Sequence, residues 1–277
     1  MATALIATMG DNCIDVYLGS CARSAVGGNA LNVAVALSRR GTPAEYVGEV
    51  GNDENGRRVL DAATSVGVGV SRVRTIAGST WRAFIAVGER GVARVDHEDP
   101  GACGPYTPTE RDIEFLAGFN HVHMANLADP VAVIEALHKR GVSTSYDYGT
   151  ASSWGDAGLP RIVFASSDGD DAQARGIERA RAASAHGAEL VIVTLGAGGS
   201  VAVDRHRVHV QPAQAIAPVD TLGAGDSYIA AFLASHLARA PLEVAMRVAG
   251  DAASETCLHW AAWPQDAVPV PSSGATQ

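Results

Sequence analysis

The chain has 277 residues, of which 47% are hydrophobic and 18% are charged, a composition typical of a globular protein. Its formal net charge of -9 argues against a nucleic-acid-binding protein, and no apolar run approaches the roughly 20 residues that a membrane-spanning helix needs. The four cysteines form no C-x-x-C pair, so neither a disulfide framework nor a structural zinc site is expected. The first residues lack a basic n-region, so we expect no signal peptide and a cytoplasmic location.

Short apolar runs alternate with segments of helical periodicity along most of the chain. Asp53 and Asp129 are predicted N-caps, and Thr107, Pro108 and Glu110 match a capping box with proline at the first helical position. Up to residue 141 the pattern predicts strands at 4–10, 44–51 and 121–127, and helices at 29–41, 53–67, 107–119 and 129–141.

One segment departs from this alternation. Residues 79–99 are predicted to form a hairpin that turns at 89–91, and we expect it to belong to a separate small sheet. The Pro-, Ser- and Gly-containing residues 264–277 are predicted to form a flexible tail. Beyond residue 141 the pattern predicts strands at 143–149, 161–166 and 189–196, a helix from 168 to about 186, a hairpin at 199–213 and two final helices.

Strands that alternate with helices indicate an α/β fold with a mostly parallel sheet covered on both faces. In such sheets ligands bind outside the carboxyl ends of the strands. We therefore expect the polar or glycine-rich strand ends to face one crevice. These ends are 10–12, 126–129, 147–149, 166–170 and 194–199.

The segment 223-GAGD-226 precedes an apolar helical pattern. A helix N-terminus carries unpaired N–H groups and a partial positive charge, and small residues allow a phosphate to approach those groups. Asp226, expected to be ionised in the first turn, could accept a proton from an attacking hydroxyl. An ordinary helix start, with an acid that complements the helix dipole, explains the same residues, so local physics leaves both interpretations open.

Two common nucleotide-binding motifs are missing from the sequence. No G-x-x-x-x-G-K-[ST] occurs, and 196-GAGGSV-201 has valine where a dinucleotide fingerprint needs its last glycine. That segment is also predicted to lead into a hairpin instead of a helix. P-loop NTPases and standard dinucleotide enzymes are therefore both disfavoured.

Polar residues near the N-terminus suggest a site for hydroxyl groups. Asn29 and Asn32 follow two glycines in 27-GGNALN-32 and share a face at the start of a predicted helix. Amides there could bind sugar hydroxyls, whereas an Asn N-cap explains only one of the two. Asp11 and Asp15 could bind hydroxyls as well, or be ordinary loop acids.

Three segments in this order, 10-GDNCID-15, 27-GGNALN-32 and 220-DTLGAGDSYIAAF-232, resemble those of the ribokinase/PfkB-like carbohydrate kinases. The resemblance extends from about Leu5 to about Trp263. It implies a three-layer αβα core with a mostly parallel sheet and a small β-sheet lid. It also implies one kinase domain over 1–263, with the lid formed by about 13–26 and 79–98.

The resemblance further implies an enzyme that uses ATP and Mg²⁺ to phosphorylate a small-molecule sugar. Asp226 matches the catalytic base of the family, and Gly223, Ala224 and Gly225 match its anion hole. The other matching positions are Asp11, Asp15, Gly28, Asn29 and Asn32 for the sugar, Thr194, Gly196 and Gly198 for the nucleotide, and Asp220 with the Leu222 carbonyl for a monovalent cation, K⁺.

One segment departs from the family pattern. Many members carry an N-x-x-E stretch that organises magnesium and phosphate, but here 167-SDGD-170 takes its place. Ser167 replaces the amide and Asp170 the longer acid, so only Asp170 is retained as a magnesium-associated candidate. The change also keeps open a catalytically silent sugar- or nucleotide-binding regulator.

Within the family, the segments above together with 146-YDYG-149 resemble kinases that phosphorylate the 6-hydroxyl of a fructosyl-amine such as fructoselysine. A kinase for another ketose, ribose, a nucleoside or a sugar phosphate is the alternative. Asp96, Glu98 and Asp99 could receive a substrate amine or form a solvated acidic loop. Relatives often dimerise through their lids, and 81-WRAFIAV-87 suits either a homodimer interface or a core-facing strand.

His121 and His123 alternate along a predicted strand, so both face the same side. Two imidazoles could bind a metal ion, but no third ligand lies at a convincing spacing. We therefore expect structural histidines.

Overall fold

The structure, a computed structural model, describes residues 5–19, 22–88, 91–151, 160–205 and 207–270. The helices are α1 (Asn29–Arg39), α2 (Glu54–Ser65), α3 (Glu110–Leu116), α4 (Pro130–His138), α5 (Ala172–Ala185), α6 (Ala224–Leu237) and α7 (Leu242–Thr256). The strands are β1 (Ile6–Met9), β2 (Cys13–Tyr17), β3 (Arg23–Gly27), β4 (Ala44–Gly51), β5 (Gly69–Ile76), β6 (Arg82–Val87), β7 (Ala93–Asp99), β8 (His121–Ala125), β9 (Ser143–Asp147), β10 (Ile162–Ser166), β11 (Leu190–Thr194), β12 (Ser200–Asp204), β13 (Arg207–Gln211) and β14 (Val268–Pro269).

The large sheet contains nine strands of the described residues, in the order β13-β12-β11-β10-β9-β8-β1-β4-β5. From β11 to β5 every neighbouring pair is parallel, whereas β12 and β13 add an antiparallel hairpin at one edge. The carboxyl ends of the parallel strands therefore lie along the same edge of the sheet, where the sequence predicts the site.

Helices cover both faces of this sheet. The evidence is that successive strand residues, whose side chains point to opposite faces, pack in different cores. Ile6 packs in a core with α1, α6 and α7, whereas Ala7 packs in a second core with α3 and α4. On β11, Ile192 faces the first core, and Val191 faces a third core that contains residues of α5. The predicted three-layer αβα arrangement is confirmed.

The small sheet has the order β14-β3-β2-β6-β7 within the described residues. Its hairpin of β6 and β7 corresponds to the predicted hairpin, although residues 89 and 90 of the turn lie outside the described residues. Gln265 anchors the chain to this sheet, because its side chain exchanges hydrogen bonds of 2.7 and 2.9 Å with the backbone of Val26. The segment predicted as a flexible tail is thus placed against β3 as far as residue 270, and 271–277 lie outside the described residues.

The helix starts test the capping predictions. Asp53 and Asp129 accept hydrogen bonds from the third backbone N–H of α2 and α4, as expected for N-caps. The predicted capping box at Thr107 is wrong, because Thr109 caps α3 and exchanges hydrogen bonds with Asp112. The sequence contains two overlapping threonine–acid pairs, and only the tertiary structure distinguishes between them.

The described part of the chain contains no helix both long and apolar enough to cross a bilayer. Cys13, Cys103 and Cys257 are buried free thiols, as expected, whereas Cys21 lies outside the described residues.

Candidate active site

The first segment of the site is the turn that enters α1 at Asn29. Gly28 adopts a φ of 106°, and a Cβ at this position would lie 2.3 Å from the Cα of Asn12, so the turn requires glycine. The carboxylate of Asp11 accepts hydrogen bonds from the backbone N–H groups of Asn29 (3.0 Å) and Ala30 (3.2 Å). Asp11 therefore caps α1 from the end of β1 and stabilises the helix start that holds the predicted sugar-binding amides.

The second segment is the start of α6, whose first helical residue is Ala224. Gly223 has a φ of 75°, and a Cβ here would lie 2.3 Å from the Cβ of Ala262, whereas a Cβ on Gly225 would meet no atom within 4 Å. The backbone N–H groups of Gly225 and Asp226 donate to no acceptor in the described ranges. These unpaired donors and the open space beside Gly225 fit the predicted anion hole.

A hydrogen bond joins the two segments across 194 residues of sequence. The Nδ2 of Asn32 donates to the Oδ2 of Asp226 at 2.7 Å, and both side chains are buried. Burial raises the pKa of Asp226 well above its usual range; the hydrogen bond from Asn32 lowers it, and the negative charges of Asp147 and Asp11 raise it. The expectation that Asp226 is ionised stays a prediction. A raised carboxyl pKa suits a general base, which works best near the operating pH.

These residues border a cavity of about 580 Å³ between the starts of α1 and α6, the small sheet and the ends of β8 and β9. The predicted site residues that line it are Asp11, Asp15, Gly28, Asn29, Asn32, Leu222, Gly223 and Asp226. Among the described residues its walls carry five carboxylates and no lysine, arginine or histidine. The five acids are Asp11, Asp15, Glu98, Asp147 and Asp226. Such a cavity favours neutral or cationic ligands over anionic ones.

Asp15 lies on β2, where the small sheet meets the cavity. Burial raises its pKa to about 7; a hydrogen bond from the Cys13 thiol (3.3 Å) lowers it, and the charges of Asp220, Asp11 and Glu98 raise it. The carboxylates on this side of the cavity thus repel one another. Hydroxyl or ammonium donors of a ligand would reduce that repulsion.

Comparison with known proteins now identifies the family. The model of the pfkB family carbohydrate kinases matches residues 13–141 and 161–262, which include the starts of α1 and α6 and most of both sheets. The chain belongs to the pfkB carbohydrate kinase family.

Similar pfkB kinases include two bacterial proteins. The fructoselysine 6-kinase of Escherichia coli K12 is 31% identical over 264 residues, which are 93% of this chain and 99% of that protein. A fructosamine kinase of Bacillus subtilis is 30% identical over 258 residues, 90% of this chain and 89% of that protein. The ribokinase of Arabidopsis thaliana, solved with ribose and ATP, shares the fold with a TM-score of 0.78 and 21% identity, covering 94% of this chain and 95% of its own.

The predicted nucleotide residues of this pfkB kinase lie at the ends of β10 and β11. Thr194 ends β11, its hydroxyl lies 2.9 Å from that of Ser166, and Gly196–Gly198 form a single 3-10 turn. Asp170 is exposed, and its carboxylate contacts no donor within the described ranges. None of these residues lines the cavity above, and the expectation of one crevice for all five strand ends stays a prediction. The nucleotide and magnesium roles of Thr194, Gly196, Gly198 and Asp170 stay predictions.

The predicted monovalent-cation residues lie just before α6. The buried Asp220 accepts hydrogen bonds from the Leu222 N–H (2.9 Å), the Tyr17 hydroxyl (2.6 Å) and the Ala261 N–H (2.9 Å). Protein donors therefore contact both of its oxygens, and Tyr17 connects the small sheet to the loop of the anion hole. The role of Asp220 and the Leu222 carbonyl in holding K⁺ stays a prediction.

The sequence analysis assigned no individual role to four residues that line the cavity: Asn126, Asp147, Tyr148 and Trp81. The first three belong to strand ends that were expected near a ligand, but nothing local distinguished them from other loop residues. Asn126 stands out only in the folded structure, where it has a φ of 50°, an uncommon value for a residue other than glycine. Trp81 also stands out only in the folded structure, because its buried indole Nε1 has no hydrogen-bond partner among the described residues.

The histidine pair is structural, as expected. His121 and His123 are buried on β8, and the hydroxyl of Ser145 lies 2.8 Å from a ring nitrogen of each. Burial lowers the pKa of each to about 3, so both rings are neutral. No group of three His, Cys, Asp or Glu residues in the described ranges could hold a metal ion.

Proposed function

We propose that this pfkB kinase transfers the γ-phosphoryl group of ATP to the 6-hydroxyl of a fructosyl-amine, of which fructoselysine is an example. The observation that carries the proposal is the acidic cavity that ends at Asp226 and the open N–H groups of α6. Two relatives support the substrate class, because they are named as fructoselysine and fructosamine kinases and match nearly the full chain.

The proton transfer is assigned to Asp226. Its Oδ2 is held by Asn32, so the carboxyl group has a fixed orientation at the floor of the cavity. When a sugar hydroxyl lies against it, Asp226 accepts the hydroxyl proton as that oxygen attacks phosphorus. The raised pKa of Asp226 favours proton uptake.

The N–H groups of Gly225 and Asp226 stabilise negative charge on the transferring group. They belong to a helix N-terminus, so they are pre-oriented, and the missing side chain of Gly225 leaves room for phosphate oxygens. ATP would supply the phosphoryl group and leave as ADP when the bond from the γ-phosphorus to the β,γ-bridging oxygen breaks, and Mg²⁺ would neutralise part of the phosphate charge. The exposed carboxylate of Asp170 is the acid that we assign to magnesium and its water shell.

Charge distinguishes the proposed substrate from two alternatives. A sugar phosphate would bring two further negative charges into a cavity where the described residues supply five carboxylates and no basic side chain. A fructosyl-amine brings a cationic nitrogen, and its hydroxyls resemble those of a ketose. A neutral ketose or ribose is intermediate in charge and is expected to be a poorer substrate than the fructosyl-amine.

A coupled assay of ADP formation over a substrate panel tests the proposal. The panel contains fructosyl-lysine, D-fructose, D-ribose, ribose 1-phosphate and adenosine, each with MgATP. We expect the highest kcat/KM for fructosyl-lysine and the lowest for ribose 1-phosphate. Activity with ribose but not with any fructosyl-amine would refute the substrate, and no sugar-dependent ADP at all would refute the kinase reaction.

A further inference from the structure

The end of β7 carries three acids, Asp96, Glu98 and Asp99, and these acids differ in the partners that they contact. Asp99 pairs with Arg82 (2.5 Å) and Asp96 with His97 (2.9 Å), so each already has a charged or polar partner. Glu98 makes no hydrogen bond or ion pair within the described residues, and it lines the cavity. One acid of the three is therefore available to a ligand.

The side chains of Glu98 and Asp99 point to opposite faces of β7, because successive strand residues alternate, and a register shift opposite Phe84 and Ile85 interrupts this alternation at Asp96. Glu98 is paired in register with Ala83 of β6, which also lines the cavity. Asp99 is paired with Arg82, and neither of these residues lines the cavity. Glu98 thus contributes its carboxylate to the wall formed by the small sheet, whereas Asp226 is contributed by α6.

The other cavity acids already have contacts that occupy them. Asp11 caps α1, Asp226 is held by Asn32, and Asp147 accepts the backbone N–H of Gly149 at 2.9 Å. Glu98 is near enough to Asp15 for its charge to raise the pKa of that carboxyl group. A cation between Glu98 and Asp15 would relieve this repulsion, and no cavity side chain in the described part of the chain supplies one.

A second observation indicates a polar ligand in the same cavity. The Oδ1 of Asn32 is buried and accepts no hydrogen bond from the described residues, although the side chain is only 7% exposed. A buried amide oxygen without a donor costs free energy, so a ligand hydroxyl is the expected partner. The cavity therefore offers a hydroxyl acceptor beside Asp226 and an unpaired carboxylate on the small sheet.

We propose that the Glu98 carboxylate binds the cationic nitrogen of the substrate and thereby selects fructosyl-amines over neutral ketoses. The inference rests on the proposed function, because it assumes that the 6-hydroxyl lies at Asp226. In a fructosyl-amine the nitrogen is bonded to C1, at the other end of the carbon chain from that hydroxyl. The nitrogen is then directed to the wall that carries Glu98, which makes Glu98 the specificity-determining residue.

The test compares two substrates that differ only in the group bonded to C1: fructosyl-n-butylamine, with a cationic nitrogen that donates hydrogen bonds, and its neutral ether, 1-O-butyl-fructose. KM and kcat are measured for the wild type, for Glu98→Gln and for the matched control Asp96→Asn. Asp96 lies on the same strand, is exposed and is outside the cavity. We expect Glu98→Gln to raise the KM for the amine about tenfold relative to the ether, as for a lost charge-assisted hydrogen bond. Asp96→Asn is expected to keep the wild-type amine-to-ether ratio.

The outcomes separate this inference from the proposed function. A wild type that prefers the amine, together with a Glu98→Gln variant that keeps the same preference, overturns the role of Glu98 and leaves the substrate class standing. A wild type that uses the ether as well as the amine overturns the selection by charge, whereas a wild type that phosphorylates neither compound overturns the proposed function. An equal change of the ratio in Asp96→Asn would show a general effect of surface charge and would also overturn the assignment.

Discussion

Replacement of Asn32 by alanine should move the acid limb of the pH–rate profile. The Nδ2 of Asn32 donates to the Oδ2 of Asp226 at 2.7 Å and stabilises the ionised carboxylate, which lowers its pKa. A hydrogen bond to a charged group contributes about 1.5–3 kcal/mol. Since one pKa unit corresponds to about 1.4 kcal/mol, loss of the bond should raise the pKa of Asp226 by about 1–2 units.

The sign of the effect follows from the role of Asp226 as a base. The ionised form is active, so a higher pKa leaves less of it at a given acidic pH, and the acid limb of kcat/KM moves to higher pH by the same amount. Initial rates of ADP formation between pH 5 and 9, measured for both proteins, give the shift. Asn29→Ala is the control, because Asn29 lines the same cavity but makes no hydrogen bond to Asp226. A uniform loss of activity at every pH, with the limb unmoved, would refute the reasoning.

Three further predictions concern the glycines of the anion hole and two buried titratable groups. Gly225→Ala should retain the fold, since its Cβ meets no atom, yet reduce turnover by filling the anion hole, whereas Gly223→Ala should lower the denaturation midpoint. Burial raises the pKa of Asp226 above its value in the unfolded chain, so the folded state loses stability as pH rises through the folded pKa. We therefore expect Asp226→Asn to raise the melting temperature at pH 8 and to leave it near the wild-type value at pH 4. His123 has its pKa lowered from 6.5 to about 3, so stability should fall as pH decreases below about 6.5, and His123→Met should flatten that decline in chemical denaturation.

Local sequence pattern was sufficient where a residue acts on its own neighbours. The glycines before Asp226 predict an open helix start, and Asp53 and Asp129 predict their own helix caps. β5 was missed, because Gly69–Ile76 carries two arginines and lacks a clear apolar alternation. Its position beside β4, not its own sequence, makes it a strand.

Contacts between distant residues set the remaining properties of the site. The bond from Asn32 to Asp226 spans 194 positions, and the raised pKa of Asp226 depends on acids from three other elements. Asp11 was predicted as a hydroxyl ligand or a loop acid, yet it caps a helix that starts 18 positions later. None of these pairings leaves a periodic signal in the sequence, so only the folded chain shows them.

The assignment of Asp226 as the base of a sugar kinase is tested most directly by ADP formation with fructosyl-lysine in the wild type and in Asp226→Asn. Wild-type ADP release should depend strictly on added sugar, and Asp226→Asn should lower kcat by a factor of about 10² to 10⁴ while remaining folded. Near-normal turnover of a folded Asp226→Asn variant would contradict the account, as would equal ADP release with and without the sugar.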